Sequence, residues 1–370
     1  MKILQVPVRF YPYIGGVENY VLNISKALVK RGHRVKVVCA NEPGSHLTQM
    51  DGIEIERLPY LCKIANTNIS LSLPIALFME KFDVIHTHIP TPWSADWSAF
   101  HALLRNKPLF LSYYNDIVGD GFNGWLAHLY NRTFLRCILK IARKIFILQP
   151  NYIKASKYLN PFRDKIEVLP CGVDLSWFAP RYGAKKPLTI FFLSILDEFH
   201  QYKGLTDLLH AVVQVKQKIP DIQLIVGGEG KLKNFYQSLT SALGIQTHVK
   251  FVGFIPDEDL NRYYQSASVF ALPSTTHQEG FGMVLLEALA CGTPVISTPL
   301  VGVAQELERY QCGVVVNPHN PTELSSALLD LLTHEKRRQT LAKNGRKLVE
   351  EKYRWNRIVE KLEKFYEDGL

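Results

Sequence analysis

Short runs of β-branched and aliphatic residues alternate with helix-length periodic segments along the whole chain. That alternation most restricts the fold, because it demands βαβ units and parallel sheets. A strand over Lys2 to Val6 runs into Gly15-Gly16. Val17, Tyr20, Val21, Ile24 and Leu28 then recur at helical spacing until Gly32, and Val35 to Cys39 returns as a second strand. Further strands are expected at Val84 to His86, Leu109 to Ser112, Lys144 to Leu148 and Ile166 to Leu169. A second series follows, with strands at Thr189 to Leu193, Gln223 to Val226, Lys250 to Val252, Val269 to Ala271, Val295 to Ser297 and Gly313 to Val316, and helices between them.

With 370 residues the chain is too long for one ordinary core and suits two domains. Gly172, Pro180, Gly183 and Pro187 interrupt the periodicity. The expected division is therefore 1–172, a linker at 173–187, a second domain at 188–352 and a terminal segment at 353–370. In that segment Ile358, Val359, Leu362, Phe365 and Tyr366 fall on one face of a helix, which either crosses to the first domain or docks on its own.

Hydrophobic residues make up 47% and charged residues 21%, so both domains can bury a core. The six cysteines form no C-x-x-C pair and fit neither a disulfide framework nor a zinc site. The N-terminus lacks the apolar core of a signal peptide, and the apolar run Ile69 to Met79 is well short of the ~20 residues that span a bilayer. A cytoplasmic protein, peripheral at the inner face of a membrane, is the expectation.

The net charge of +9 is uneven: 21 Lys/Arg stand against 13 Asp/Glu up to Pro180, and 22 against 21 after it. Such an excess attracts anionic surfaces or substrates. No helix-turn-helix, finger or RNP-type pattern accompanies it, so nucleic acid is not an expected partner. Asn131 to Phe146 places Arg132, Arg136, Lys140, Arg143 and Lys144 among Phe134, Leu135, Ile138, Leu139 and Ile141. Read as one basic amphipathic helix, it either lies in an anionic membrane interface or covers the first domain with its basic side in water.

The chemistry concentrates at Glu279-Gly280-Phe281-Gly282-Met283-Val284-Leu285-Leu286-Glu287, where a glycine-rich turn opens a helix with carboxylates at both ends. Backbone N–H groups of Gly280, Phe281 and Gly282 at a helix N-terminus favour an anion. Glu279 and Glu287, two turns apart, suit hydroxyl recognition, a sugar hydroxyl for the first and a ribose diol for the second. Without that ligand they read as a helix-terminal carboxylate and a surface residue. Gly227-Gly228-Glu229-Gly230 is no G-x-G-x-x-G fingerprint, which counts against a dehydrogenase.

This stretch, followed by Ala288-Leu289-Ala290-Cys291-Gly292-Thr293-Pro294-Val295-Ile296, resembles the signature of family 4 glycosyltransferases. The resemblance extends to Gly15-Gly16-Val17-Glu18, Asp83-Val84-Ile85-His86-Thr87-His88, Gly172-Val173-Asp174, Tyr202-Lys203-Gly204, Gly227-Gly228-Glu229-Gly230 and Val252-Gly253-Phe254. It implies a GT-B-like α/β fold: two Rossmann-like domains facing across a cleft, acceptor-binding first and donor-binding second. By the same resemblance the activity is retaining transfer from a nucleotide-diphosphate sugar to a hydroxyl acceptor, such as a sugar, a lipid-linked group or a cell-surface glycan precursor. Lys203, Gly15 and Gly16 would meet the diphosphate, Gly228 and Phe254 would lie on the nucleotide side, Glu287 would hold the ribose, and Glu279 and Asp116 would stand near the sugar. No cofactor and no metal are expected beyond the donor.

Two positions depart from the family pattern. Ile195 stands where an arginine usually accompanies the lysine, with His200 or Arg9 as the substitutes the sequence offers. Tyr114 stands where a histidine usually precedes Asp116; it could hydrogen-bond a sugar hydroxyl but is a poor proton shuttle at neutral pH. These departures keep open a non-catalytic nucleotide-sugar-binding subunit. Another GT-B-like enzyme, an epimerase or a phosphorylase, is the remaining alternative. His86 and His88 read as core or loop histidines rather than catalytic ones.

Overall fold

The computed structural model describes residues 1–13, 15–119, 121–181, 186, 188–276 and 278–370. Two compact units are present: Met1–Cys171 together with Trp355–Leu370, and Gly172–Arg354.

In the first unit the elements are β1 (Lys2–Val6), α1 (Gly16–Lys30), β2 (Arg34–Ala40), β3 (Gln49–Met50), β4 (Ile53–Leu58), β5 (Cys62–Ile64), β6 (Thr67–Ile69), α2 (Leu73–Met79), β7 (Val84–Ile89), α3 (Pro92–Leu104), β8 (Leu109–Tyr113), α4 (Gly121–Arg132), α5 (Phe134–Ile141), β9 (Lys144–Ile147), α6 (Tyr152–Ala155) and β10 (Ile166–Val168). Eight strands form one sheet in the order β10-β9-β8-β7-β1-β2-β4-β3, parallel except for β3; β5 and β6 make a separate hairpin. The order reverses between β1 and β7, and the crevice beyond the carboxyl ends of such strands is where open α/β sheets bind ligands.

Alternate strand residues divide the two faces. Leu4, Val6, Ile85, Ile89, Leu109, Leu111, Ile145 and Ile147 pack with Leu73 and Leu77 of α2, Ala95, Ala99 and Ala102 of α3, and Leu135, Ile138 and Leu139 of α5. Gln5, His86, His88, Phe110, Ser112 and Phe146 point the other way, and the register pairs Gln5 with His86, His86 with Phe110, and His88 with Ser112. The chain's last helix covers that opposite face. Tyr366 lies 4.7 Å from the Phe110 ring and Phe365 5.5 Å from Phe146, while Trp355 meets Tyr20 of α1 edge-on at 5.5 Å.

The second unit contains β11 (Thr189–Leu193), α7 (Leu205–Lys216), β12 (Gln223–Gly227), α8 (Lys233–Ala242), β13 (Val249–Gly253), α9 (Asp257–Ser266), β14 (Val269–Leu272), α10 (Met283–Ala290), β15 (Val295–Ser297), α11 (Ala304–Arg309), β16 (Gly313–Val315), α12 (Pro321–Thr333) and α13 (Glu335–Lys352), with α14 (Trp355–Gly369) returning to the first unit. Its six parallel strands run β13-β12-β11-β14-β15-β16, and the order reverses between β11 and β14.

The segment expected as a linker is packed where it is described. Asn261 donates to the Trp177 carbonyl at 2.6 Å, Gln265 to that of Ala179 at 2.7 Å, and Arg346 to that of Phe178 at 2.9 Å. Gly183 and Pro187 lie outside the described residues.

The expected basic helix over Asn131 to Phe146 is corrected. The chain breaks at Thr133 and again at Ala142, so the stretch is the end of α4, the two-turn α5 and the start of β9. Ile145 and Phe146 belong to the sheet, and β pairing with β8 and β10 overrides the helical spacing.

Candidate active site

Each unit brings polar groups to the carboxyl end of its sheet, in two different states. In the second unit a short 3-10 helix, Glu198–Lys203, leaves the end of β11. Asp197 starts it by accepting from the N–H groups of Phe199 and His200, each at 3.0 Å. Gly204 ends it in the left-handed region (φ 80°), where a β-carbon would stand 2.0 Å from the Pro273 carbonyl oxygen, so only glycine fits. Thr275 donates its N–H to the Tyr202 carbonyl at 2.7 Å. Lys203 is thereby pinned beside the end of β14, at the point where the strand order reverses.

Lys203 Nζ stands 3.1 Å from Glu279 Oε2, with both side chains largely buried. The ammonium neutralises this carboxylate, and the pair is the charged feature of the loop that follows β14. Gly280 to Gly282 follow. Phe281 turns its ring inward against Tyr353 at 5.7 Å, and its carbonyl accepts from the Val303 N–H at 3.2 Å.

Glu287, one turn into α10, is partly buried and accepts from the Tyr264 hydroxyl at 2.7 Å. Burial pushes its carboxyl up to about 7, the Tyr264 hydrogen bond opposing that shift, nearby Asp257 adding to it and Lys203 opposing it. Gly228 lies at the end of β12, its N–H bonded to the Gly253 carbonyl at 2.7 Å, and next to Gly253 the Phe254 side chain is 61% exposed.

Neither substitute for the missing arginine is a free cation. His200 Nδ1 is 2.6 Å from Asp197 Oδ1. Arg9 is internal to the first unit, ion-paired with Glu18 at 3.4 Å and Glu42 at 3.5 Å, hydrogen-bonded to Asn66 and stacked over Tyr13. Burial with two acidic partners explains why a residue just beyond β1 serves the core. Ile195, at the arginine's position, is half exposed.

In the first unit α1 opens at Gly16, and a β-carbon there would meet no atom within 4 Å. At Gly15, the residue before it, a β-carbon would stand 2.3 Å from Glu18 Oε2, so the buried Glu18 side chain is what requires glycine at this helix start. Asp116 accepts from the Tyr113 hydroxyl at 2.8 Å and donates its own N–H to the Tyr152 hydroxyl at 3.0 Å, which holds the loop after β8.

The expectation that Tyr114 offers its hydroxyl to a sugar is corrected. Tyr114 is buried, and its hydroxyl lies 2.9 Å from His88 Nδ1. From there a closed chain of hydrogen bonds runs inward: His88 Nε2 to Gln5 Oε1 at 3.0 Å, Gln5 Nε2 to the Tyr366 hydroxyl at 3.5 Å, that hydroxyl to His86 Nδ1 at 2.6 Å, and His86 Nε2 to Ser112 Oγ at 2.9 Å. With Gln5 donating from Nε2, every group has one donor facing one acceptor, and both imidazoles are neutral. Burial drives His86 down to about 3 and His88 well below its ordinary value. The sequence signals for this chain are the alternation in His86-Thr87-His88 and the place of Tyr366, 280 residues from His86, on the packed face of the terminal helix; their pairing carries none.

Among the described residues, no three His, Cys, Asp or Glu side chains gather as metal ligands, and no helix is long and apolar enough to cross a membrane.

Two family descriptions divide the chain: Glycosyltransferase Family 4 matches residues 14–177, and Glycosyl transferases group 1 matches residues 183–348. The chain belongs to the family 4, group 1 glycosyltransferases. It is similar to phosphatidyl-myo-inositol mannosyltransferase of Mycobacterium tuberculosis, with 27% identity covering 99% of this chain and 97% of the relative. It is also similar to one of the subunits of human phosphatidylinositol N-acetylglucosaminyltransferase, with 26% identity covering 99% and 76%. Among solved structures, HepE of Anabaena in complex with UDP-glucose superposes with a TM-score of 0.77 at 18% identity, each chain covered in full, a likeness of fold. The glycosyltransferase is thus of the GT-B fold class, and it is an enzyme that transfers a sugar.

Proposed function

We propose that this glycosyltransferase moves a sugar, with retention of configuration, from a nucleotide-diphosphate sugar to a hydroxyl of a lipid-linked acceptor. The observation that carries the reading is the arrangement on the second unit: the pinned Lys203, the largely buried Glu279 carboxylate paired with it and Glu287 one turn along α10. A lysine there compensates charge developing on the departing diphosphate, an interaction stronger in the transition state than in the ground state. Glu279 accepts from a sugar hydroxyl and Glu287 from the ribose diol. In a same-face transfer the diphosphate leaves as the acceptor hydroxyl attacks, and its phosphate oxygen takes the hydroxyl proton, so no protein nucleophile is used. The reading needs no metal. HepE is named with UDP-glucose, which supports a nucleotide donor of that class.

Thermal shifts with UDP, GDP and ADP test this. A ligand at about 100 times its Kd stabilises by about 2.7 kcal/mol. One nucleotide should stabilise the wild type, and Lys203→Ala should lose the effect; equal stabilisation of both would remove Lys203 from the site.

The lipid acceptor rests on the two relatives, whose names carry phosphatidylinositol or phosphatidyl-myo-inositol. It rests also on the outer surface of the α2–α3 layer. Ile75, Phe78, Met79, Phe100, Leu103 and Leu104 are each at least 52% exposed there. Arg105 lies over the Phe78 ring at 5.3 Å, and Lys81, Lys107, Arg136 and Lys140 are exposed on the same helical layer or its margins. Apolar side chains rimmed by cations fit an anionic membrane interface, at which the acceptor would be met. Sedimentation with vesicles containing anionic lipid should retain the protein, and Phe100→Asp with Met79→Asp should release it; retention on purely zwitterionic vesicles would contradict the charge argument.

A further inference from the structure

Glu287 is reached from within the second unit by one side chain that the reaction itself does not use. Tyr264 lies on α9 and is fully buried, its ring held between Phe191 and Phe270, each at 5.3 Å, and Phe178 at 5.9 Å. Thr293 Oγ1 donates to the Tyr264 carbonyl at 2.6 Å, which ties the turn after α10 to the same point of α9. The phenol therefore has one accessible orientation, and in it the hydroxyl donates to Glu287 Oε2 at 2.7 Å.

We infer that Tyr264 is a positioning residue for donor binding: its hydroxyl occupies Glu287 Oε2 from the interior and leaves Oε1 to accept from a ribose diol. The inference rests on the reading of Glu287 as the ribose acceptor. An ionised carboxylate only accepts, which suits a diol that donates; a protonated one presents its own O–H and loses that match. Tyr264 donates to the charged form and so favours it. The other charged groups that act on Glu287 are Asp257 of α9, which disfavours the charge, and Lys203, which favours it. On α13, packed against α10, Arg346 bonds the carbonyls of Ala290 and Phe178 and pairs with Glu350.

The linkage has a definite sign. With the carboxyl at about 7 in the free protein, the ionised fraction rises from roughly a tenth at pH 6 to roughly nine tenths at pH 8. Apparent affinity scales with the competent fraction, so nucleoside diphosphate binding should strengthen about tenfold over that interval. Tyr264→Phe removes a donor to the charged form, so the midpoint moves to higher pH, and binding that is weakened at pH 7 returns toward wild type at pH 9.

The experiment has two readouts on the full chain. The first is the pH dependence of Kd for UDP, GDP or ADP, whichever binds, in the wild type, Tyr264→Phe and Glu287→Gln, with the 2′-deoxy nucleotide alongside. The second is the ionisation of Glu287 without nucleotide, followed through its carboxyl 13C signal, assigned by its loss in Glu287→Gln. The inference requires an alkaline shift in both readouts for Tyr264→Phe and, for Glu287→Gln, a binding profile reduced to the nucleotide's own phosphate ionisation near pH ~6. A loss of affinity that is uniform with pH, or an unmoved carboxyl titration, would overturn it. If the titration shifts while Glu287→Gln binds as tightly as the wild type, and the deoxy nucleotide keeps the same profile, the ribose reading fails and this positioning role falls with it.

Discussion

The two units gather polar side chains at equivalent places in their sheets, yet one cluster is neutral and the other charged. In the first unit, Tyr114, His88, Gln5, Tyr366, His86 and Ser112 satisfy one another in a neutral chain sealed by α14. In the second, Lys203 and Glu279 form a largely buried ion pair. A satisfied buried network specifies one packing and resists change. A largely buried ion pair carries a desolvation cost that further hydrogen bonds offset. Polar residues near the central strands thus hold the fold together in one unit and, under the proposed function, bind in the other, and the difference is between a neutral hydrogen-bonded chain and a charged pair.

The largest effect that would sharpen this contrast is on catalysis. Lys203→Ala should lower kcat/KM for sugar transfer by about 10²- to 10³-fold, the cost of removing one electrostatic contact to a developing charge, while the first unit's amide exchange stays unchanged. A loss under about threefold would break the contrast from the second unit's side, since it falls far below that range.

Acid is the next lever. His86, with its folded value at about 3 against an ordinary 6.5, binds its proton more readily in the unfolded chain. The stability it carries is complete above about pH 6.5 and is lost as pH falls toward 3, by at most about 1.4 kcal/mol per pH unit. Urea unfolding between about pH 7 and about pH 4, inside that window, resolved by amide exchange, should show the β1, β7 and α14 segments weakening first. Uniform weakening of both units would deny the first unit its special core.

Tyr366→Phe should cost about 1–3 kcal/mol, because it leaves His86 Nδ1 buried without a donor. Nucleotide Kd should not change. A change in Kd with unaltered melting would turn the sealed chain into part of the site. Smallest of all, addition of EDTA should leave the rate as it is.

The β1 and β11 strands, the helices α7 to α10, α12 and α13 and the α10 turn were legible to within a residue or two, since each has a clear period, whereas the six-residue α11 is too short to show one. The β3 to β6 region was not, because those strands are two to six residues long and carry no sustained alternation. The 131–146 stretch was misread because an apolar run of two turns joined to a strand has the same spacing as one longer helix. Lys203, Glu279 and Glu287 stood out through motif and local spacing. Their mutual distances did not, and Tyr264 carried no signal apart from its place on α9.

By itself, then, the sequence determined the succession of βαβ units, the two-domain division of the core and the family to which the chain belongs, because periodicity, turn residues and a long contiguous motif are all local properties. Only the tertiary structure decided which polar residues are free to act. Arg9, Tyr114 and His200 looked available in one dimension and are engaged in three, by Glu18, His88 and Asp197. Lys203 and Glu279 are far apart in the sequence and meet at the reversal of strand order. A side chain's capacity to bind depends on the partners left to it after packing, and those partners come from distant parts of the chain.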